Sequence, residues 1–353
     1  MIVLEFVIAL GVLIFLHELG HFIVGKLLNV EIEEFGFGYP PRLIKLFTWK
    51  GTDFTINLIP FGGFNRFKGE DDPGVPGGLS AANKWTRFGI SLAGPMMNLL
   101  IGVLLFSIVF SSAGIPITNS IQIQYVEPNT PAAISGILPG DIILEVSGEK
   151  IESKDEVGTI INQHLGEEIH ILLKRGDQTT SIQATPRTNW PEGQGPLGIA
   201  MTYPVKQISL FQAIPYASNM AIEQGKQLFT LPFMLMRGDI QPSQARVLSP
   251  KGVYDIYAHV RHEEQSADID SISALLEIAW FFGIISIAYG FTNLLPIPAL
   301  DGGHILFLLP EILFNKRVSV KLENTVHIIG FTFLILLMFY VLMQDFINPV
   351  VIP

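Results

Sequence analysis

The chain has 353 residues, 49% of them hydrophobic and 15% charged, with a mean hydropathy of +0.43, which argues against an ordinary soluble protein and for a membrane protein with room for two or three modules. The net charge of -10 comes with no long basic run, so nucleic acid is not an expected partner. Cysteine is absent, which excludes disulfides and Cys-ligated metal; a bound metal must use His, Asp or Glu.

Residues 2–25 are apolar for long enough to cross a hydrocarbon core of ~30 Å at ~1.5 Å per residue. A cleaved leader is the competing reading, but the stretch lacks a basic start, carries Glu5 and shows no small-residue cleavage site. Inside it, "GVLIFLHELGHFIVGK" places ionisable groups at membrane depth, where insertion scales charge ~2.5–3.5 kcal/mol each, so such groups mark function. "HELGH" fits H-E-x-x-H: His17 and His21 share one helix face and can bind one zinc ion, and Glu18 is placed to take a proton from the attacking water. Helix packing is the bland alternative, weakened by the cost of unpaired imidazoles in lipid.

Residues 31–68 read as a short β-sheet, with Phe54, Ile56 and Leu58 in alternation. Its segment "LIPFGGFNRF" is too apolar for a free loop, and an unpaired strand cannot face lipid, so a re-entrant loop dipping toward the first span is expected. A second span follows at 88–111, and 115–203 form a soluble module of short strands with one helix near 154–164. Residues 204–274, interrupted by Pro215 and Pro232, read as an amphipathic, membrane-associated linker, with an interfacial helix preferred over a fifth span. Its "HVRH" pair, His259 and His262, reads as part of a solvated polar loop.

The third and fourth spans are placed at 275–298 and 326–347. Catalytic zinc keeps three protein ligands as a rule, and "NLLPIPALDGGH" at the end of the third span offers Asp301; its alternative is a helix cap beside Gly302 and Gly303. His304 reads as a donor behind the ligands or an interfacial residue, and His327 as an interface anchor. Basic residues in the first-to-second and third-to-fourth loops place those loops in the cytoplasm, and the N-terminus and the 115–203 module outside.

The stretch "VEPNTPAAISGILPGDIILEVSGEKI" resembles a PDZ domain. "HELGH", "NLIPFGGFNRFKGE", "AGPMMN", the PDZ-like insert and "NLLPIPALDGGH" together resemble the site-2 protease family of intramembrane zinc metalloproteases, in particular the bacterial sigma-E-regulating protease branch. The resemblance covers the four spans, the re-entrant loop and the PDZ-like insert, with only 204–274 weakly matched. It implies an α-helical polytopic membrane protein of about four transmembrane helices, with a membrane re-entrant β-sheet and an inserted α+β PDZ domain. By the family pattern His17, His21 and Asp301 would hold one Zn2+ and Glu18 would be the base. Asn293 with Gly62, Gly63 and Phe64 would hold substrate, and Gly195, Leu197, Gly198 and Ile199 of "GPLGIAM" would line the PDZ groove. An ordinary closing strand is the alternative for that last segment. The implied partners are the lipid bilayer and single-span membrane proteins, such as anti-sigma factors or signal-peptide remnants, pre-trimmed by another protease. The implied place is the bacterial inner membrane, multi-pass, with the active site near the cytoplasmic side. One departure stands out: the proteobacterial sigma-E protease carries tandem PDZ domains, and this chain has space for one. A proteolytically inactive PDZ membrane scaffold or chaperone is the rival reading, opposed by the intact Glu18. A zinc transporter is disfavoured by the insert and by the lack of a polar relay in the other spans.

Overall fold

Helix α1 (Ile2–Leu27) runs unbroken through the first apolar stretch; it holds no proline, and Lys26 in its last turn complements the negative end of the helix dipole. The computed structural model describes residues 2–191, 193–241, 246–266 and 270–349. After α1 come β1 (Ile32–Trp49) and β2 (Thr52–Phe67), joined through Lys50 and Gly51, whose φ angles of 46° and 78° suit a two-residue hairpin turn. β1 doubles back within the pairing. Residues 34–37 face 63–66 on one side and 53–56 on the other, so the "FGGFNRF" end of β2 forms an outer strand. Phe35, Phe67 and Ile32 pack with Phe22 of α1, which fixes this sheet against the first helix. α2 (Lys84–Ala113) then crosses α1 closely: a Cβ on Gly20 would come within 2.5 Å of the Ala93 carbonyl oxygen.

The chain divides into two compact units, Met1–Val109 with Leu210–Pro353, and Phe110–Ser209. The second contains β3 (Ile115–Pro116), β4 (Ile121–Val126), α3 (Pro131–Ile134), β5 (Ile142–Val146), β6 (Glu149–Lys150), α4 (Lys154–Gln163), β7 (Ile169–Arg175), β8 (Gln178–Ala184), β9 (Ile199–Thr202) and β10 (Val205–Lys206). The main sheet runs β8-β7-β5-β4-β9 with β6 on β5, while β3 pairs β10. Thr130 caps α3, and a Ser153/Glu156 capping box starts α4. Inward residues of the strands, among them Ile123, Val146 and Leu173, close on Val157 and Ile160 of α4.

In the "GILPGD" turn Asp141 accepts from the Leu138 N–H at 2.9 Å and from both Nε and Nη2 of Arg175 at 2.7 Å. Burial pushes the Asp141 carboxyl up, but the Arg175 guanidinium and the Leu138 N–H together more than offset it and hold the group below its ordinary value. A depressed folded pKa means stability that is present above the unfolded value near ~3.9 and is lost as pH falls through the folded one. Asp141→Ala is expected to cost about 2 kcal/mol, read as faster amide exchange across Phe110–Ser209 at pH 7. Unchanged exchange would show that the pair contributes nothing.

The first unit resumes with α5 (Leu210–Arg237), which passes through Pro215 and Pro232 as one helix, so the expected interruption does not occur. Its buried stripe of Ala213, Ala217, Ala221 and Gly225 explains why, since packing outweighs the local cost of proline. The stripe faces the third span: a Cβ on Gly225 would meet the Phe291 ring at 2.5 Å, and Gln224 Nε2 donates to the Ile284 carbonyl at 2.8 Å. α6 (Pro250–Ser266) corrects a second expectation, because His259 and His262 lie on a helix rather than in a polar loop. Buried Tyr257 of α6 packs on Phe6 of α1 and donates to Glu5. α7 (Ser271–Asn293) ends five residues before the expected 298, since Pro296 and Pro298 deny the helix its N–H donors. α8 (Asp301–Phe314) and α9 (Val320–Ile347) complete the unit. α1, α2, α7 and α9 are long and apolar enough to cross a membrane. α2 and α7 interlock through Gly102 beside Ile287 and Gly283 beside Phe106.

Candidate metal centre

The H-E-x-x-H spacing places His17 and His21 on the buried face of α1, with rings 4.8 Å apart at 81° and Nε2 atoms 3.2 Å apart. Asp301 arrives from the other end of the sequence. A turn over residues 294–300, with Ala299 at φ 77°, leads into α8, which Asp301 opens. The helix cap is Leu300, which makes no side-chain capping bond, so the capping alternative for Asp301 does not hold. Its carboxylate turns instead to the histidines: Oδ2 lies 3.1 Å from His17 Nε2 and Oδ1 3.4 Å from His21 Nε2.

These separations suit a metal ion. A tetrahedral ion with bonds of ~2.0–2.1 Å separates its ligands by ~3.3–3.4 Å, close to the spread of 3.1, 3.2 and 3.4 Å among the three groups. Asp301 Oδ2 is buried without a hydrogen-bond donor, which suits an oxygen that would ligate a cation. The outer nitrogens are held in the required sense. His21 Nδ1 donates to the Ile90 carbonyl at 2.7 Å, which frees Nε2 for the metal, and the buried Asn98 amide lies 3.0 Å from His17 Nδ1. With its amide oxygen toward that Nδ1–H, Asn98 fixes the same tautomer on His17 and satisfies an oxygen that otherwise has no partner. Glycine in "AGPMMN" is required by space: a Cβ on Gly94 would stand 2.2 Å from His21 Nε2.

A second cluster, His304, Glu323 and His327, fails the same test. Its two imidazoles stack at 3.9 Å and 17°, so their in-plane lone pairs run parallel and do not converge on one ion. His327 Nδ1 already accepts from the Ala299 N–H at 2.9 Å, so this residue braces the turn before Asp301.

His17, Glu18, His21, Asn293 and Asp301 line one cavity of about 360 Å³, joined by Tyr39, Asn65 and Tyr289. The Asn293 amide donates to the Tyr289 carbonyl at 3.1 Å in the last turn of α7. Gly62 and Gly63 press on α1, where added Cβ atoms would meet Ile14 at 2.6 Å and Glu18 at 2.7 Å. Phe64 lies near Tyr39, with ring centroids 6.5 Å apart. Among the described residues no strand pairs with the outer edge of 63–66. In the other unit Ile199 opens edge strand β9, Gly195 and Gly198 form its leading turn, and the Leu197 side chain faces the core. Asn65, Asn98 and Tyr289 were missed as site residues, although an amide in "AGPMMN" at membrane depth is a readable signal.

A family model described as "Peptidase family M50" matches residues 5–337. Proteins named "Putative zinc metalloprotease" are similar along nearly their whole length. The one from Clostridium acetobutylicum is 28% identical, covering 98% of this chain and 97% of its own; that from Campylobacter jejuni is 30% identical, covering 96% and 91%. The regulator of sigma-W protease RasP of Bacillus subtilis is 25% identical, covering 97% of each chain. Among solved structures, the PDZ domain of an SdrC-like protein from Listeria monocytogenes is 24% identical over 24% of this chain and 88% of that one, at a TM-score of 0.22.

Proposed function

The chain belongs to peptidase family M50, the site-2 proteases, and is a membrane zinc metalloprotease; from that premise we propose that it cleaves the transmembrane segments of single-span membrane proteins in regulated intramembrane proteolysis. The observation that carries this reading is the meeting of His17, His21 and Asp301 within 3.1–3.4 Å on and beside a helix fit to cross the membrane. In this reading those three residues hold the zinc, which when bound polarises the scissile carbonyl and lowers the pKa of water toward ~7. Glu18 takes the proton of the attacking water and gives it to the leaving amine, so the carboxylate is regenerated with each turnover.

A transmembrane helix resists proteolysis because its own hydrogen bonds are satisfied, so it must unwind and find new partners. The outer edge of 63–66, beside Glu18, would offer them by strand addition, and Asn293, which lines the same cavity, would bind substrate backbone. The chain is read as a multi-pass protein of the bacterial inner membrane, with the site near the cytoplasmic side and the PDZ-like 115–203 module outside. That module, of roughly 85 residues, would exclude substrates that still carry bulky outer domains, and its β9 edge, with the Gly195–Gly198 turn, would take a newly exposed carboxyl terminus in second place.

The test is cleavage of single-span proteins in proteoliposomes, with products mapped by mass spectrometry. Wild type should cut trimmed substrates within the apolar segment and spare untrimmed ones. Deletion of 119–203 with a short linker should admit both. Cuts confined to soluble loops would overturn the intramembrane reading, and a folded deletion variant as strict as wild type would overturn the filter.

A further inference from the structure

The outer strand and the glutamate on α1 are joined by a single side chain. Asn65 Nδ2 donates to the Glu18 backbone carbonyl at 2.6 Å and to Glu18 Oε2 at 2.9 Å, so both amide hydrogens go to one residue. Two positions earlier, on the same face of the strand, Gly63 lets the backbone touch the Glu18 stem, with its Cβ position 2.7 Å from both Glu18 Cβ and Cγ. Asn65 also lines the cavity shared with His17, His21 and Asp301.

We propose that Asn65 is a positioning residue for proteolysis, which locks the Glu18 carboxylate in its working rotamer and ties it to the strand that receives substrate; this rests on the reading of Glu18 as the base. A glutamate side chain is costly to immobilise, up to ~2 kcal/mol in rotamer freedom, and a misplacement of about 1 Å can cost ~100-fold in rate. The backbone-directed bond anchors the amide on α1, and the other bond then orients the carboxylate from that fixed point. Asn65 takes one lone pair of Oε2 and leaves Oε1 without this bond, so Oε1 is the oxygen assigned to proton uptake. A substrate strand added at the outer edge of 63–66 would lie at a set distance from that oxygen, since the Gly63 contact and the Asn65 bonds register strand and helix together.

Asn65→Leu keeps the bulk and removes both donors. It is expected to lower kcat by ~10- to 100-fold, the usual weight of a hydrogen bond to a charged group, with KM within about threefold of wild type and zinc content unchanged. Asn65→Ser, too short to reach the carboxylate, should show the same kcat loss and provides the test if the leucine variant fails to fold. A strand-to-helix tie with no role in positioning would also lower activity, so the decisive measurement is a double-mutant cycle. Glu18→Asp keeps a carboxylate but withdraws it by one methylene, beyond the reach of Asn65. In that background Asn65→Leu should change kcat by no more than ~2-fold. An equal loss in both backgrounds, or a raised KM with kcat preserved, would overturn the proposal. Glu18→Gln with full activity would instead sink the reading of the base, whereas an inactive Glu18→Gln beside wild-type kcat in Asn65→Leu would sink only the role of Asn65.

Discussion

Glu18→Gln should retain about one zinc per chain and lose turnover by ~100- to 10,000-fold, the range that a positioned general base supplies. Glutamine matches glutamate in shape, and its amide oxygen can still accept from Asn65 Nδ2, so the contact at Gly63 and the register of strand and helix survive. What disappears is the proton acceptor. The residues that would hold zinc are not altered, because His17 and His21 are fixed from behind by Asn98 and the Ile90 carbonyl rather than by Glu18. The measurement is zinc content by mass spectrometry beside single-turnover cleavage in proteoliposomes. Cleavage within tenfold of wild type would remove Glu18 from the base role, and loss of zinc would show that the carboxylate supports the metal directly. The same pair of results separates protease from inactive scaffold, since a scaffold has no turnover to lose.

The readable part of this site is the part that is expensive in lipid. Two imidazoles and a carboxylate at helical spacing inside an apolar stretch need a function, and the cluster of Pro296, Pro298 and Asp301 after another apolar stretch marks a broken end. That helix stops five residues short of the expected end, because Leu294, Leu295 and Ile297 continue the apolar run after α7 has stopped. Helix α6 was hidden for the opposite reason: it is polar along much of its length, and its burial depends on Glu5 and Phe6, some 250 positions earlier in the chain. Alternation revealed strands in 31–68, but not that 34–37 would lie between two partners, since pairing across a doubled-back strand leaves no local signature. Asn65 carries no local signal, because its meaning lies in a bond to a residue 47 positions away.

Asp301→Ala is the variant expected to remove the metal. Two histidines one helical turn apart can hold an ion only at two corners; Asp301 of α8 would supply the third and complete the site. Loss of a supporting hydrogen bond such as that of Asn98 weakens metal affinity by ~10- to 100-fold, so Asn98→Ala sets the lower rung of the scale. Removal of a ligand itself should exceed that, leaving no zinc on Asp301→Ala after dialysis against a mild chelator that leaves wild type loaded. The substitution also removes a buried carboxylate, so the zinc-free variant should fold with its helices in place, checked by circular dichroism. Full zinc retention would exclude Asp301 from the ligand set. Stoichiometry carries the complementary argument. The stacked rings of His304 and His327 do not converge on an ion, so wild type should bind about one zinc rather than two, and Glu323→Gln should leave that number unchanged. A second equivalent lost with Glu323→Gln would mean that this cluster does take metal, against the geometry of its rings.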